Sequence, residues 1–168
     1  MGRMPTSPKP VSPEDLRCAM RQWTTGVTVV TAHHEGVSHG MTVNSFTSIS
    51  LDPPLVLVSL ERSTRTHDLV SRACAFGVTI LSQEQRGISD TFAGRHTEQS
   101  DRFAGLETFT LQSGTPLITA GLSHFDCHVV ATYVAGTHTV FIGEVLALNC
   151  HPGDPLLYYD RGYRELAP

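Results

Sequence analysis

The stretch from Gly40 to Leu60, GMTVNSFTSISLDPPLVLVSL, limits the possible folds most strongly because it joins a hydroxyl-rich segment to a short apolar run. The apolar run, Leu55–Val58, carries valine at alternate positions and predicts a buried strand. Asp52-Pro53-Pro54 separates the two halves and predicts a sharp loop, because proline has no backbone N–H donor. A polar ledge beside a buried strand is suited to hold an extended polar cofactor.

Length and composition predict one globular domain. The chain has 168 residues, of which 40% are hydrophobic and 17% charged, and its net charge is −4. Its Arg and Lys residues are scattered and form no basic patch in the sequence, so nucleic acid is not an expected partner. No apolar segment approaches the ~20 residues of a membrane-spanning helix. The start, MGRMPTSPKPVSP, is rich in proline and lacks the apolar region of a signal peptide. We therefore expect a flexible arm over residues 1–12, one domain over residues 13–168 and a cytoplasmic location.

Cysteine and histidine spacing gives no support for a metal site. None of the four cysteines belongs to a C-x-x-C pair, and in the absence of an export signal we expect reduced, mostly buried thiols. Three histidines lie close in sequence, but no carboxylate or thiol is placed to complete a ligand set, so we expect solvated turn residues. These residues are Cys18, Cys74, Cys127 and Cys150, and His33, His34 and His39.

The pattern of the chain favours a mainly β protein. About seven short strands are predicted, mostly linked as hairpins: 27–32, 37–43, 55–58, 75–81, 125–134, 140–148 and 155–159. Three short helices are expected, one from Ser12 to Trp23 with Trp23 in the core, one over residues 67–72 and one from Ser82 to Gly94. Such a set predicts a small antiparallel barrel with a few peripheral α-helices.

The start of the second predicted helix is a candidate anion site. Ser63, Thr64 and Thr66 are possible caps, and Arg65 lies among them. Hydroxyls, a guanidinium and the amide groups of a helix N-terminus converge there, which suits a phosphate. An ordinary capped helix explains the same residues equally well.

Several ordered segments resemble the flavin reductase family, which has the FMN-binding split-barrel fold and includes the reductase components of two-component flavin-dependent monooxygenases. The matching segments are Thr25–Thr31, Gly40–Ser48, Asp52–Val56, Phe76–Val78, Phe92–Arg95, Asp101–Phe103, Gly136–His138, Phe141–Val145 and Pro155–Tyr159. The resemblance extends over roughly residues 14–165. It implies a homodimer, with FMN or FAD near the subunit interface and NADH or NADPH as the electron donor.

The resemblance also assigns roles to individual residues. It implies that His138 lies beside the nicotinamide, although Thr137 stands where the family's Gly-Asp-His motif has aspartate. Tyr159 and Arg161 are weaker candidates for the same pocket. The residues implied for flavin binding are Thr42, Asn44, Ser45, Ser59, Leu60, Ser63, Thr64, Arg65, Thr66, Phe92 and Arg95.

The absence of a catalytic triad or carboxylate pair agrees with this hypothesis, because in hydride transfer to a flavin the cofactors carry the chemistry. Hydroxyls and amides of Thr42–Ser48 can bind the pyrimidine edge of the ring, which gains negative charge on reduction. The sequence therefore predicts an NAD(P)H-dependent flavin reductase that supplies reduced flavin to a monooxygenase. The alternatives are an oxidase of the pyridoxamine-phosphate-oxidase type and a non-enzymatic FMN-binding protein.

Overall fold

The computed structural model describes residues 10–95 and 101–166. Short helices and strands follow one another along the chain without a regular repeat, as the sequence pattern indicates. The helices are α1 (Pro13–Met20), α2 (Arg65–Ala73) and α3 (Arg86–Phe92), the last preceded by a 3₁₀ turn (Gln83–Gln85). The strands are β1 (Thr25–Gly26), β2 (Thr28–His34), β3 (Val37–Val43), β4 (Thr47–Leu51), β5 (Pro54–Glu61), β6 (Ala75–Ile80), β7 (Thr108–Phe109), β8 (Leu117–Ile118), β9 (Ser123–Ala135), β10 (His138–Cys150), β11 (Leu157–Tyr159) and β12 (Gly162–Arg164).

Seven of these strands form one antiparallel sheet in the order β3-β2-β6-β9-β10-β5-β4. β11 pairs with both β1 and β12, and β7 pairs with β8. The prediction of a mainly β, antiparallel architecture with a few peripheral helices is confirmed. The seven predicted strands correspond to β2, β3, β5, β6, β9, β10 and β11. The sequence pattern does not predict the two-residue strands β1, β7 and β8, nor β4 and β12.

Two clusters of buried side chains form the core. The first includes Val58, Phe76 and Phe141, and the second includes Leu81 and Phe92. Close packing in the first cluster requires a residue without a side chain, because a Cβ added at Gly143 would lie 2.6 Å from the Phe76 ring. The Phe76 ring on β6 therefore packs closely against Gly143 on β10, although β9 lies between these two strands in the sheet.

Helix α2 connects β5 to β6 and covers the sheet near β2 and β3. Its N-cap is Thr64, whose hydroxyl accepts a hydrogen bond from the His67 amide. Two residues of the helix itself, Leu69 and Val70, have buried side chains. The helix begins two residues before the predicted start at residue 67, because Thr64 rather than Thr66 provides the cap.

Two predictions about burial are wrong. Helix α1 ends at Met20, so Trp23 lies beyond it and is 67% exposed; the helix has no buried residue. Only Cys127 among the four cysteines is buried, while the others lie on surface elements. All four thiols are unpaired, as expected. The predicted arm over residues 1–12 lies mostly outside the described residues.

His39 also departs from its predicted environment. It lies within β3 rather than in a turn, and its side chain is half-buried against α2.

None of the helices in the described part of the chain is long and apolar enough to cross a membrane.

Candidate functional site

Three neighbouring cavities meet at Asn44, which follows β3. The first, here called the tyrosine cavity, has a volume of about 200 Å³ and lies between β3, α3 and the C-terminal strands. It is lined by Val27, Thr42, Val43, Asn44, Ser89, Ala93, Arg95, Tyr158 and Tyr163. The cavity brings together three residues predicted for flavin binding, namely Thr42, Asn44 and Arg95.

The second, the loop cavity, is the largest of the three at about 550 Å³. It lies between the segment after α1 and the segment joining β3 to β4, and it is lined by Met20, Trp23–Gly26, Thr28, Asn44–Thr47 and Ile80. The third, the arginine cavity, has about 230 Å³ and is lined by Arg17, Met20, Arg21, Trp23, Asn44, Tyr158, Asp160 and Arg161. Only the loop cavity reaches the ~300–1,000 Å³ typical of small-molecule sites, so an extended ligand would occupy more than one of them.

The tyrosine cavity has a fixed polar wall. The Tyr163 hydroxyl lies 2.8 Å from Asp90 Oδ1 and 2.9 Å from Ser89 Oγ, so it donates to the carboxylate and can accept from the serine. Arg95 pairs with Asp90 at 2.8 Å and lies over the Tyr163 ring. Burial raises the pKa of Tyr163, and the hydrogen bond to Asp90 acts in the same direction. Thr42 Oγ1 donates to the Ser89 carbonyl at 2.7 Å, which ties β3 to the same helix.

The loop after β3 is held to β5 by a reciprocal contact. Ser45 Oγ donates to the Ser59 carbonyl at 2.9 Å and accepts from the Ser59 amide at 3.1 Å. One side chain therefore satisfies both backbone groups of Ser59. The contact fixes the position of Asn44 relative to the end of β5.

The predicted phosphate site is part of a cationic region that we call the α2 corner, consisting of His39, Ser63–Thr66 and Arg102. Thr66 is fully buried and its hydroxyl lies 2.8 Å from His39 Nδ1. Arg102 donates to the carbonyls of Gly40 and Phe92, both at 2.9 Å. Ser63 and Arg65 are exposed at the first turn of α2, where amide groups have no intrahelical acceptor.

His39 is uncharged in this environment. Burial, together with the neighbouring positive charges of Arg102 and Arg65, lowers the pKa of His39 to about 4. The two guanidinium groups therefore supply the positive charge of the α2 corner, and His39 supplies a neutral hydrogen-bonding ring.

His138 opens β10 opposite Glu61 at the end of β5. Its Nδ1 lies 2.9 Å from the hydroxyl of Thr137, and the Thr137 carbonyl accepts from the Arg62 amide at 2.9 Å. The next residue, Thr139, contacts Nε2 of His67 on α2 at 2.8 Å. These contacts hold the His138 backbone beside the N-terminal end of α2.

The predicted site residues fall into two neighbouring groups. Thr42, Asn44, Ser45, Arg95 and Arg161 line the three cavities that meet at Asn44. The second group lies where β5, β10 and the start of α2 meet, and it consists of Ser59, Leu60, His138 and the segment Ser63–Thr66.

The side chains of Leu60, Thr66 and Phe92 are buried, so for these three a direct contact to a cofactor stays a prediction. Tyr159 donates to Gln22 at 3.1 Å and lies beside the segment that follows α1.

Three residues of the site were not identified from sequence. Tyr163 lies beyond the last matching segment, His39 is predicted to be a solvated turn residue, and Arg102 occurs only within the matching segment Asp101–Phe103. Their roles depend on contacts between segments far apart in the chain, such as the 62 residues between Gly40 and Arg102. Local patterns carry no signal of such contacts.

Comparison with known proteins agrees with this geometry. The model of the flavin reductase like domain matches residues 20–167. An NADH-dependent flavin reductase of Rhodococcus sp is 39% identical over 93% of this chain and 88% of its own length. The reductase component of 4-nitrophenol 4-monooxygenase/4-nitrocatechol 2-monooxygenase from Rhodococcus opacus is 34% identical over 95% of this chain and 84% of its own.

A solved structure has the same fold throughout. The Streptomyces globisporus C-1027 NADH:FAD oxidoreductase SgcE6, in complex with NAD and FAD fragments, superposes with a TM-score of 0.86 at 34% identity. The match covers 96% of this chain and 98% of that one. The predicted split-barrel fold is therefore confirmed.

Proposed function

The chain belongs to the flavin reductase like family, and from this premise we propose that it is an NADH-dependent flavin reductase that supplies reduced flavin to a monooxygenase. The relatives reported above are named as reductases, so the two alternative functions, an oxidase and a passive flavin-binding protein, have no support among them. The chemistry that a bound flavin would supply is a ring able to accept hydride from NADH.

The observation that carries this proposal is the chemical character of the cavities at Asn44. Among residues 10–95 and 101–166, the side chains that line the tyrosine and loop cavities are hydroxyls, an amide, aromatic rings, aliphatic groups and one guanidinium, with no carboxylate, thiol or imidazole. Such a lining cannot act as a strong general acid or base. It can orient a cofactor and exclude water, which is the part that a protein plays in hydride transfer.

The residues present fit a flavin. The loop cavity is large enough for a small-molecule ring system, and Asn44–Thr47 form one of its walls. Hydroxyl, amide and backbone donors in this segment can bind the pyrimidine edge of a flavin ring, where negative charge grows on reduction. Because Ser45 is fixed to Ser59, these donors are preorganised.

The α2 corner would hold the flavin phosphate. Ser63 and Arg65 are exposed, and Arg102 adds positive charge nearby. The His67 amide donates to Thr64, so the amides of Arg65 and Thr66 are the first-turn donors that would face the phosphate. Thr64 already caps the helix and Thr66 already contacts His39, so their contribution is mainly to hold the helix end in place.

His138 would contact the nicotinamide, with Thr137 orienting the ring in place of the family's aspartate. Tyr159 and Arg161 remain weaker proposals for the donor site. Neither residue hydrogen-bonds to His138 within the described part of the chain. Substitution of each residue, followed by NADH kinetics, tests whether it contributes to the donor site.

The reductase would act as a homodimer in the cytoplasm. Large apolar side chains are exposed along β4, β9 and β10, where a second copy would cover them: Ile49, Leu51, Val130, Tyr133, Val134, Leu146 and Leu148. Four unpaired thiols, three of them exposed, suit a reducing compartment. Light scattering coupled to size-exclusion chromatography tests the dimer.

The activity is tested by following NADH absorbance with FMN, FAD or riboflavin added. We expect flavin-dependent NADH oxidation by the wild-type protein. His138→Ala should impair NADH use, seen in its Michaelis constant or turnover, more than flavin affinity. Flavin binding without NADH oxidation would refute the proposed activity, and unchanged NADH kinetics in the variant would refute the role of His138.

The phosphate site is tested with Arg65→Gln. This variant should weaken FMN binding about tenfold or more while riboflavin binding stays unchanged, because riboflavin lacks the phosphate. Arg72→Gln is the matched control, since Arg72 lies in the last turn of the same helix and pairs with Glu35. Equal losses for both flavins would contradict the assignment.

A further inference from the structure

We infer that the arginine cavity binds the adenosine-diphosphate moiety of a dinucleotide, with the phosphates on Arg17, Arg21 and Arg161 and the adenine against Trp23. The inference deepens the proposed function and rests on it, because it assigns a second recognition region to the same reductase. The moiety occurs in both NADH and FAD. It is absent from FMN, riboflavin and reduced nicotinamide mononucleotide.

The first support is an unusual sharing of charge. Three guanidinium groups meet at one carboxylate: Glu14 lies 3.1 Å from Arg21 Nη2, 3.4 Å from Arg17 Nη1 and 3.9 Å from Arg161 Nη2. Asp160 also lines the cavity, so the described residues place three guanidinium groups beside two carboxylates. Positive charge is therefore in excess, and each guanidinium retains N–H donors that Glu14 does not use.

The second support is an unsatisfied donor. Arg21 Nε is buried and has no hydrogen-bond acceptor within residues 10–95 and 101–166. A buried donor without an acceptor is costly, so an acceptor from solvent or from a ligand is expected to complete it. A phosphate oxygen in the arginine cavity is an acceptor of suitable charge, because guanidinium groups bind phosphate through paired N–H donors.

The third support is the exposed aromatic side chain beside these arginines. Trp23 is the single tryptophan of the chain and remains 67% exposed where α1 has already ended. It lines both the arginine and the loop cavities. An exposed indole next to guanidinium groups is suited to stack a purine while the arginines hold the attached phosphates.

The position of the cavity explains how one dinucleotide could reach the reacting centre. The arginine cavity shares Asn44 and Tyr158 with the tyrosine cavity and Asn44 and Trp23 with the loop cavity. A molecule with its adenosine diphosphate in the arginine cavity would therefore extend directly into the region proposed for the flavin ring. FMN would leave the arginine cavity to NADH, whereas FAD, whose flavin phosphate is part of its diphosphate, would reach this cavity only with that phosphate outside the α2 corner.

The direct test is a titration of the purified wild-type protein with ADP, followed by tryptophan fluorescence and by calorimetry. Because Trp23 is the only tryptophan and lines the arginine and loop cavities, a change in emission reports on these two cavities, and the arginine variants then identify the arginine cavity. We expect ADP to bind and to quench the emission. Arg17→Gln and Arg161→Gln should each weaken ADP binding about tenfold. Trp23→Ala should weaken it in calorimetry, while Arg72→Gln should leave it unchanged.

The source of the moiety is identified by paired ligands. In Arg17→Gln with Arg161→Gln, a loss for NADH that exceeds the loss for reduced nicotinamide mononucleotide assigns the cavity to NADH. A loss for FAD that exceeds the loss for FMN assigns it to FAD. The inference is overturned if ADP does not bind the wild-type protein, or if the double variant loses equally within both pairs.

This outcome is separable from the activity itself. Wild-type protein that oxidises NADH with FMN but does not bind ADP would refute the cavity assignment and leave the reductase activity standing. Protein that binds ADP at Trp23 without oxidising NADH would refute the reductase activity and retain the binding site. Thermal unfolding of each variant, followed by circular dichroism, checks that the substitutions leave the fold intact.

Discussion

Acid is expected to destabilise this fold partly through His39. The ring is half-buried between β3 and α2, contacts Thr66, and is faced by Arg65 on α2 and Arg102 on the segment after α3. Burial first, and these two charges second, lower the pKa of His39 from 6.5 to about 4. The unfolded chain therefore binds a proton between these pH values that the folded chain does not bind. Stability is fully present above pH 6.5 and is lost as the pH falls toward 4.

The size of the effect follows from the shift. A pKa difference of this size corresponds to about 3 kcal/mol for a fully shielded group. The His39 ring is only half-buried, so solvent screening reduces the expected loss to about 1–2 kcal/mol. This is still a sizeable fraction of the ~5–15 kcal/mol that stabilises a typical domain.

The assay is urea unfolding at pH 7.5 and pH 4.5, followed by far-ultraviolet circular dichroism. His39→Gln keeps a polar partner for Thr66 and removes the proton-binding ring, so this variant should lose about 1–2 kcal/mol less than the wild-type protein between the two pH values. His33→Gln is the matched control, since His33 is exposed and also contacts a serine hydroxyl, that of Ser38 at 2.8 Å. Identical losses in wild type and His39→Gln would refute the reasoning.

The same histidine reports on the proposed phosphate site. A phosphate at the α2 corner would offset the charges of Arg65 and Arg102, so protonation of His39 would be opposed less strongly. We therefore expect bound FMN to raise the pKa of His39 in an NMR titration, and bound riboflavin to raise it much less. An equal response to both flavins would place the phosphate elsewhere.

Three further substitutions test individual contacts. Ser45→Ala should lower the unfolding free energy by about 1–3 kcal/mol, because Ser59 loses both partners of its backbone groups; an unchanged denaturation midpoint would contradict this. Gly143→Ala should cost about 1–3 kcal/mol, since the added methyl would lie 2.6 Å from the fully buried Phe76 ring; a stability equal to wild type in urea unfolding would show that the core can adjust. Tyr163→Phe should weaken flavin affinity while the fold is retained, because the polar wall of the tyrosine cavity loses its hydroxyl; fluorescence titration with FMN checks it, and unaltered affinity would remove Tyr163 from the site.

The fold was largely predictable because strand signals are local. β2, β3, β6, β9 and β10 each leave an alternating or continuous apolar pattern of six or more residues, and β5 leaves the apolar run Leu55–Val58. The turn chemistry between them, such as Glu35-Gly36 with both residues at positive φ, then sets the hairpins. Neither the order of strands in the sheet nor the pairing of β6 with β9 follows from such patterns, since both depend on contacts between distant segments.

Burial near the surface was less predictable. Trp23 shares an apolar spacing with Leu16, Ala19 and Met20, but that spacing only indicates a face if the helix continues, and α1 ends at Met20. Cysteine is often buried, yet Cys18, Cys74 and Cys150 lie on a peripheral helix, a helix end and a strand end. In each case the residue type indicates how often such a side chain is buried in proteins, but it does not indicate whether the side chain at this position is buried.

The replacement of aspartate by Thr137 limits how His138 can act. A carboxylate next to Nδ1 would only accept and would hold the proton on Nδ1, whereas the Thr137 hydroxyl at 2.9 Å can donate or accept and is compatible with either tautomer. The backbone on either side of the ring is nevertheless fixed, by the Arg62 amide on the Thr137 carbonyl and by the contact between Thr139 and His67. Recognition of a nicotinamide by His138 would then depend on the position of the imidazole ring. The Thr137 hydroxyl would allow either ring nitrogen of His138 to carry the proton, whichever the bound ligand requires.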